Sequence, residues 1–384
     1  MRKVYRFRLY PTKPQLKRLE RTLDLCRYVY NKTLEERKKA WEEKGETLSK
    51  YSLNAFLPEW KKDYPILKEV FSQTLQEVQE RVDLAFKHFF RRVKNGENPG
   101  YPRFKGKGWY DSFCYPQMGF EVKENTIYLS KIGEVYMVKH RPIKGRVKRV
   151  CIRRKNSKWY ACLTVEYDEK IMSGQKKDYP STGIDMGLDS FATLSTKGMY
   201  DFPSDGYKIP NPRFFRIEEQ ALAKAQRKLS KAEKGTPERA SARKVVARVH
   251  ERIGNRRQEF VNQLSRKLVD NYAFIAFEDL NIKCMVQNHC LAKSISDAAW
   301  RMLINATKYK AESAGTTVVL VNPANTSKIC SKCGTMVEKE LNDRIHKCPC
   351  CGLVMDRDEN AAINILRLGL QSGARKKSEE AHQL

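Results

Sequence analysis

In the opening VYRFRLY, apolar and basic side chains alternate, with Tyr5, Phe7 and Leu9 on one side and Arg6 and Arg8 on the other. A period of two ending at Pro11 predicts a β-strand with a basic outer face. The period then changes. Leu16, Leu19, Leu23, Cys26 and Tyr30 recur at helical spacing, which predicts a helix from Pro14 to about Gly45, where glycine stops it. Phe71, Leu75, Val78, Val82, Phe86 and Phe89 predict a second helix, ending in Arg91, Arg92 and Lys94 near Gly96.

Residues 119–168 carry short β-rich runs (FEV, TIYL, EVYMV, VKRVCI, KWYACLTVEY) separated by turn residues. They predict a small antiparallel barrel or sandwich, completed by the N-terminal strand, with the helical lobe as an insertion. GQKKDYPST (174–182) has linker composition. An α/β order follows: STGIDMGL as a buried strand, FATLST and GMYDF as a hairpin, a helical region to about Asp270, the strand AFIAFEDL, a helix over 295–314 and the strand TTVVLVNP. The final QSGARKKSEEAHQL is polar and is expected to be disordered.

Charge narrows the partner. In 384 residues, 74 Lys and Arg face 45 Asp and Glu, a net charge of +29. Such a chain repels itself unless it binds a polyanion, while its 41% hydrophobic content suffices for packed cores. No apolar run approaches the roughly 20 residues that span a bilayer, and the N-terminus lacks a signal-peptide core. The expectation is a cytoplasmic, nucleic-acid-binding protein with no membrane partner. Cys26, Cys114, Cys151, Cys162, Cys284 and Cys290 are scattered, whereas Cys330, Cys333, Cys348, Cys350 and Cys351 cluster. In a chain that is not secreted, clustering points to metal and not to a disulfide framework.

Three acids stand at element ends. Asp185 closes the apolar strand of GIDMGL, Glu278 closes FIAFE, and Asp356 and Asp358 precede the helical run ENAAINIL. Singly, each is an ordinary helix cap or strand end. Together they suit divalent cations: hydrolysing a phosphodiester requires activating a water and stabilising a leaving oxygen on an anionic substrate, and hard cations prefer carboxylate oxygens.

Cys330-Ser-Lys-Cys333 and Cys348-Pro-Cys-Cys351 form two Cys-x-x-Cys knuckles, each followed by a glycine. Four thiolates at this spacing close a tetrahedral structural Zn²⁺ site, leaving Cys350 over; His346 is a weaker competing ligand. Two segments suit phosphates. YPRFKGKGWYDSFCY mixes Arg103, Lys105 and Lys107 with aromatic rings. Residues 224–257 carry twelve cations against three acids, with Arg248, Arg252 and Arg256 on one helical face and a break expected at Gly235 and Pro237.

GIDMGL, FEDLNI, SDAAW, NPANTSKICSKCG and CPCCGLVMDRDENAAINIL, with YPTKPQ, RYVYN, YPRFK, HRPIKG and KWYACLTVE, together resemble the TnpB (OrfB) family of transposon-encoded relatives of type V CRISPR effectors. The resemblance runs from about residue 5 to 370. It implies a multidomain α/β protein: a β-barrel-like wedge domain (1–11 and 118–175) interrupted by an α-helical recognition lobe (12–117), a split RuvC (RNase H-like) nuclease domain (176–325 and 353–370) with an inserted zinc ribbon (326–352), and a disordered tail (371–384). It also implies a monomeric RNA-guided DNA endonuclease that takes a guide RNA from the transposon end and cuts double-stranded DNA beside a short flanking motif. Asp185, Glu278 and Asp358 occupy the family's Mg²⁺ positions, two ions being expected, with Asp356 an alternative to Asp358. The competing expectations are a guided repressor that does not cut, and an accessory transposase.

Overall fold

The computed structural model describes residues 2–167, 176, 178–200, 202–203, 206–340 and 343–381, with backbone alone for Lys283 and 373–381. The chain divides into two compact units, Met1–Glu169 and Lys170–Leu384. The linker expected at 174–182 lies partly outside the described residues.

In the first unit, β1 (Arg2–Tyr10) leads into α1 (Lys13–Lys44), α2 (Lys50–Asp63) and α3 (Ser72–Lys94). Then follow β2 (Ser112–Tyr115), β3 (Phe120–Val122), β4 (Thr126–Leu129), β5 (Gly133–Val138), β6 (Arg146–Lys155) and β7 (Lys158–Glu166). Gly45 takes the left-handed conformation that ends α1, at φ 66°. The strands form one sheet in the order β2-β6-β7-β1-β5-β4-β3. β1 therefore lies mid-sheet, with Phe7 opposite Ala161 of β7 and Leu9 opposite Met137 of β5.

The period of two is realised: Tyr5, Phe7 and Leu9 are buried. Arg6 and Arg8 instead lie 5.3 and 5.2 Å from the ring of Tyr160. The buried face shares one core with Leu19, Cys26 and Leu34 of α1 and Val78 and Val82 of α3. The hydrogen-bonded order runs from β2 to β3, one seven-stranded antiparallel sheet with helices packed into its core; the expected closure into a barrel is not seen in the strand pairing among the described residues. β2, expected inside the helical lobe, is an edge strand of this sheet. Alternation reveals which face is buried but not what covers it. A disulfide joins Cys114 of β2 to Cys151 of β6, two of the scattered cysteines; they face each other across the strands with Cα atoms 4.0 Å apart.

The second unit runs β8 (Ser181–Asp185), β9 (Ser190–Leu194), β10 (Lys208–Pro210), α4 (Phe214–Lys231), α5 (Pro237–Asn271), β11 (Phe274–Glu278) and α6 (Ile282–Met285). It continues through α7 (Ala292–Ala298), α8 (Trp300–Ala314), β12 (Thr317–Val321), β13 (Ile345–Lys347), β14 (Val354–Asp356) and α9 (Arg357–Ala381). A mixed sheet has the order β10-β9-β8-β11-β12, with β8, β9 and β10 antiparallel and β11 parallel to both β8 and β12. The two parallel pairings require crossovers, which α4–α5 and α6–α8 provide.

Three expectations change here. β9 pairs with β10, not with GMYDF. The helix expected over 295–314 is two helices, broken where Ala299 takes φ 54°. α9 extends to Ala381, through most of the segment expected to be a disordered tail. Among the described residues, no helix is long and apolar enough to cross a membrane.

Candidate active site and metal centre

Asp185 is the last residue of β8 and Glu278 the last of β11. These strands are parallel neighbours in register, Ile184 opposite Phe277, so both carboxylates leave the sheet at the same end. In open α/β sheets that end is the usual ligand crevice. α9 delivers the third acid. It packs on β8 where Gly183 has no side chain: a Cβ there would lie 2.1 Å from the carbonyl oxygen of Ala362. Asp358 sits in the first turn of α9.

Electrostatics ties the three together. The Asp185 carboxyl is held well above its ordinary range, first by burial and then by the negative charges of Glu278 and Asp358; Arg357 opposes this. Burial also raises Glu278, against a hydrogen bond from Thr326. Burial and then the charge of Asp356 raise Asp358, while Lys208, Arg344 and Arg357 oppose. Glu278 is buried and Asp185 and Asp358 are half-buried, and the charges of Glu278 and Asp358 both bear on Asp185, an excess of negative charge of the kind that a divalent cation relieves.

Asp356 is differently engaged. Its Oδ1 accepts from the backbone N–H groups of Asp358 at 2.9 Å and Glu359 at 3.3 Å, capping α9. Its Oδ2 accepts from Lys208 Nζ at 2.6 Å. The helix cap is Asp356, and the acid whose charge bears on Asp185 is Asp358.

The sulfurs of Cys330, Cys333, Cys348 and Cys351 all lie within 4.8 Å of one another, the one such group of metal-ligating side chains among the described residues. Cys330 and Cys351 are 3.6 Å apart and Cys333 and Cys348 3.5 Å. Four ligands at the usual Zn–S length of ~2.3 Å have edges of about 3.8 Å, so the cluster has the size that zinc requires. Each knuckle closes with a glycine N–H, Gly334 to Cys330 and Gly352 to Cys348, both at 3.0 Å. Without metal the thiol pKa values are driven apart: Cys333 is lowered to about 6, chiefly by its contacts with the Thr335 hydroxyl and N–H, whereas Cys351, despite the Leu353 N–H, is raised to about 12 by burial and the neighbouring sulfurs. Cys350 is exposed and stands outside the group. His346, also outside it, is buried with Nδ1 against Lys339 Nζ.

The basic candidates separate. Residues 214–271 form the helix pair expected around Gly235 and Pro237, but Arg252 and Arg256 both bind Glu218 of α4, at 2.8 and 3.1 Å. They tie the two helices of the hairpin together, although they are exposed like Arg248. In the first unit Arg103 is exposed, while the backbone of Lys105 exchanges hydrogen bonds with the side chain of Asn31 at 2.8 and 3.0 Å. Of that segment's rings, Tyr110, Phe113 and Tyr115 are core anchors, and Tyr101, Phe104 and Trp109 face solvent. The Asp of SDAAW, Asp297, accepts from Arg257 and from the backbone N–H of Phe215, a structural role.

Three family models match: one described as "Probable transposase" over residues 162–289, "Cas12f1-like, TNB domain" over 300–365, and "Helix-turn-helix domain" over 1–46. The last covers β1 and the single long helix α1. A Streptomyces pristinaespiralis protein named "Putative RNA-guided DNA endonuclease" is 36% identical, the match covering 97% of this chain and 91% of that protein. The chain belongs to the TnpB family. A relative named "Putative RNA-guided DNA endonuclease InsQ", from Escherichia coli (strain K12), is 27% identical over 95% of the chain and 92% of its own length. Among solved structures, CasPhi-2 (Cas12j) bound to crRNA is similar at a TM-score of 0.49 and 13% identity, covering 96% of this chain and 98% of that one.

Sequence reasoning passed over three residues that shape this TnpB site. Thr326 Oγ1 donates to Glu278 Oε1 at 2.6 Å. Asn360 and Asn364, four apart on one face of α9, bind the backbone of the first knuckle. Two buried polar residues at that spacing, in an otherwise apolar helical run, were the available signal.

Proposed function

We propose that this protein is an RNA-guided, Mg²⁺-dependent DNA endonuclease cutting duplex DNA by phosphodiester hydrolysis beside a short flanking motif. The observation that carries the reading is the convergence of Asp185, Glu278 and Asp358 at one end of a mixed sheet with two parallel crossovers, the order expected of a RuvC (RNase H-like) nuclease. Family membership and the names of the relatives support it. The nuclease would be residues 176–325 and 353–370, the zinc ribbon 326–352, the recognition lobe the helical part of 12–117, and the wedge 1–11 and 118–175 together with β2.

In this reading Asp185, Glu278 and Asp358 hold divalent cations, which would supply charge neutralisation at the phosphate and activation of water. Thr326 orients Glu278, and Lys208 restrains Asp356 so that α9 presents Asp358. Arg103 and Arg248 are exposed cations suited to phosphate, with base pairing to the guide setting sequence choice. Zn²⁺ on the four cysteines has a structural role, because no coordination position stays open for catalysis. The protein would act as a monomer in the cytoplasm, at the nucleoid.

The test is purification with RNA co-expressed from the flanking region, followed by cleavage of duplex DNA bearing a matched target and randomised flanks. Cutting is expected with Mg²⁺, and none with EDTA or with Asp185→Ala. Cleavage without RNA would overturn the guided reading.

A further inference from the structure

The first zinc knuckle is joined to the carboxylate site by a continuous set of buried hydrogen bonds. Thr326, four residues before Cys330, is 4% exposed, and its hydroxyl donates to Glu278 Oε1 at 2.6 Å. The carbonyl of Thr326 accepts from Asn364 Nδ2 at 2.9 Å, and the carbonyl of Ile329 accepts from Asn364 and Asn360 at 2.7 and 2.8 Å. Asn360 Oδ1 in turn accepts from the N–H of Ser331, inside the knuckle, at 2.8 Å. Arg367 of the same helix donates to the Ser331 carbonyl. Both asparagines are buried, Asn360 completely.

α9 is thus fixed to the knuckle at Asn360, two residues after Asp358, while the knuckle's leading loop holds Glu278. We propose that Thr326, Asn360 and Asn364 are positioning residues through which the zinc knuckle sets the cation affinity of the Asp185–Glu278–Asp358 site. The proposal rests on the active-site reading above. The physical reason is geometric: a buried carboxylate that loses its donor is free to rotate, and a ligand that is not held in place binds a cation more weakly. Outer partners of metal ligands typically alter affinity about 10- to 100-fold. The knuckle loop keeps its shape only while its cysteines are held together, so the two metal sites are linked.

The experiment uses the full chain with its guide RNA. Zinc content, thermal stability, Mn²⁺ affinity by electron paramagnetic resonance and the Mg²⁺ dependence of cleavage are measured for wild type, Thr326→Val, Thr326→Ser, Asn364→Ala and Asp185→Ala. Thr326→Val is expected to keep one zinc and its melting temperature, bind Mn²⁺ about tenfold more weakly and need correspondingly more Mg²⁺. Thr326→Ser, which keeps the hydroxyl, is expected to match wild type, and Asn364→Ala to shift both curves in the same direction as Thr326→Val. Wild-type Mn²⁺ and Mg²⁺ curves in Thr326→Val, with Asp185→Ala inactive, would overturn the positioning role while leaving the nuclease reading intact. An Asp185→Ala variant as active as wild type would remove both.

Discussion

Gly183 of β8 and Ala362 of α9 approach so closely that a methyl group on the glycine would lie 2.1 Å from the alanine carbonyl oxygen and 2.4 Å from the N–H of Leu366. Backbone, not a flexible side chain, occupies the space. Gly183→Ala must therefore push α9 off the sheet, and with it Asp358. A loss of about 3 kcal/mol or more is expected, since overpacking against backbone cannot relax by rotamer change. Chemical denaturation measures it, and cleavage should fall even where the variant still folds.

The raised Asp185 pKa gives a stability test with a defined sign. The native carboxyl keeps its proton at pH values where the unfolded chain, with the ordinary value of 3.8, has lost it. Native protein then binds more protons than unfolded, so metal-free stability falls as pH rises from that value through the elevated native one. Asp185→Asn is expected to abolish cleavage yet raise the melting temperature of the second unit, Lys170–Leu384, in EDTA at pH 7 by about 2–4 °C, the shift that about 1 kcal/mol produces in a domain of that size. Mg²⁺ should stabilise wild type and not the variant.

Zinc should be separable by cysteine. Cys333→Ser is expected to lose the metal and lower the melting temperature, because a four-thiolate site holds together a segment with little core of its own. Cys350→Ser should retain one zinc and wild-type stability, since Cys350 is exposed and outside the sulfur cluster. Metal analysis of the purified variants decides it.

Arginines on the α4–α5 hairpin should divide into two behaviours. Arg248→Ala is expected to reduce the salt dependence of nucleic-acid binding by about one unit of log–log slope with stability unchanged. Replacing both Arg252 and Arg256 leaves Glu218, whose side chain is only 10% exposed, without its two arginine partners. That should cost ~1–3 kcal/mol of stability, as loss of the partners of a buried charge does. Binding titrations at several salt concentrations and melting curves distinguish the two.

Much of this was legible along the chain because it is local. Tyr5, Phe7 and Leu9 announce one buried face by a period of two, Gly45 ends α1, and two Cys-x-x-Cys pairs announce a metal cluster by spacing alone. Asp185 and Glu278 were readable as strand ends because an apolar run terminating in an acid is visible in four or five residues. The strand order of the seven-stranded sheet was not readable, since alternation carries no information about which strands pair. The Cys114–Cys151 bridge was hidden for the same reason: only strand register sets the two opposite each other.

By itself the sequence determined the chemistry available: a net charge of +29, four thiolates and a handful of acids at element ends, together with the family. Tertiary structure decided which acids act on one another. Asp356 and Asp358 are two residues apart and chemically identical, yet one caps α9 and binds Lys208 while the other bears on Asp185. That choice depends on the direction in which α9 leaves β14 after the second cysteine knuckle, fixed by packing on Gly183 and by the buried asparagines. Contacts between residues far apart in the chain have no local periodicity to betray them, and only the folded backbone brings them within hydrogen-bonding range.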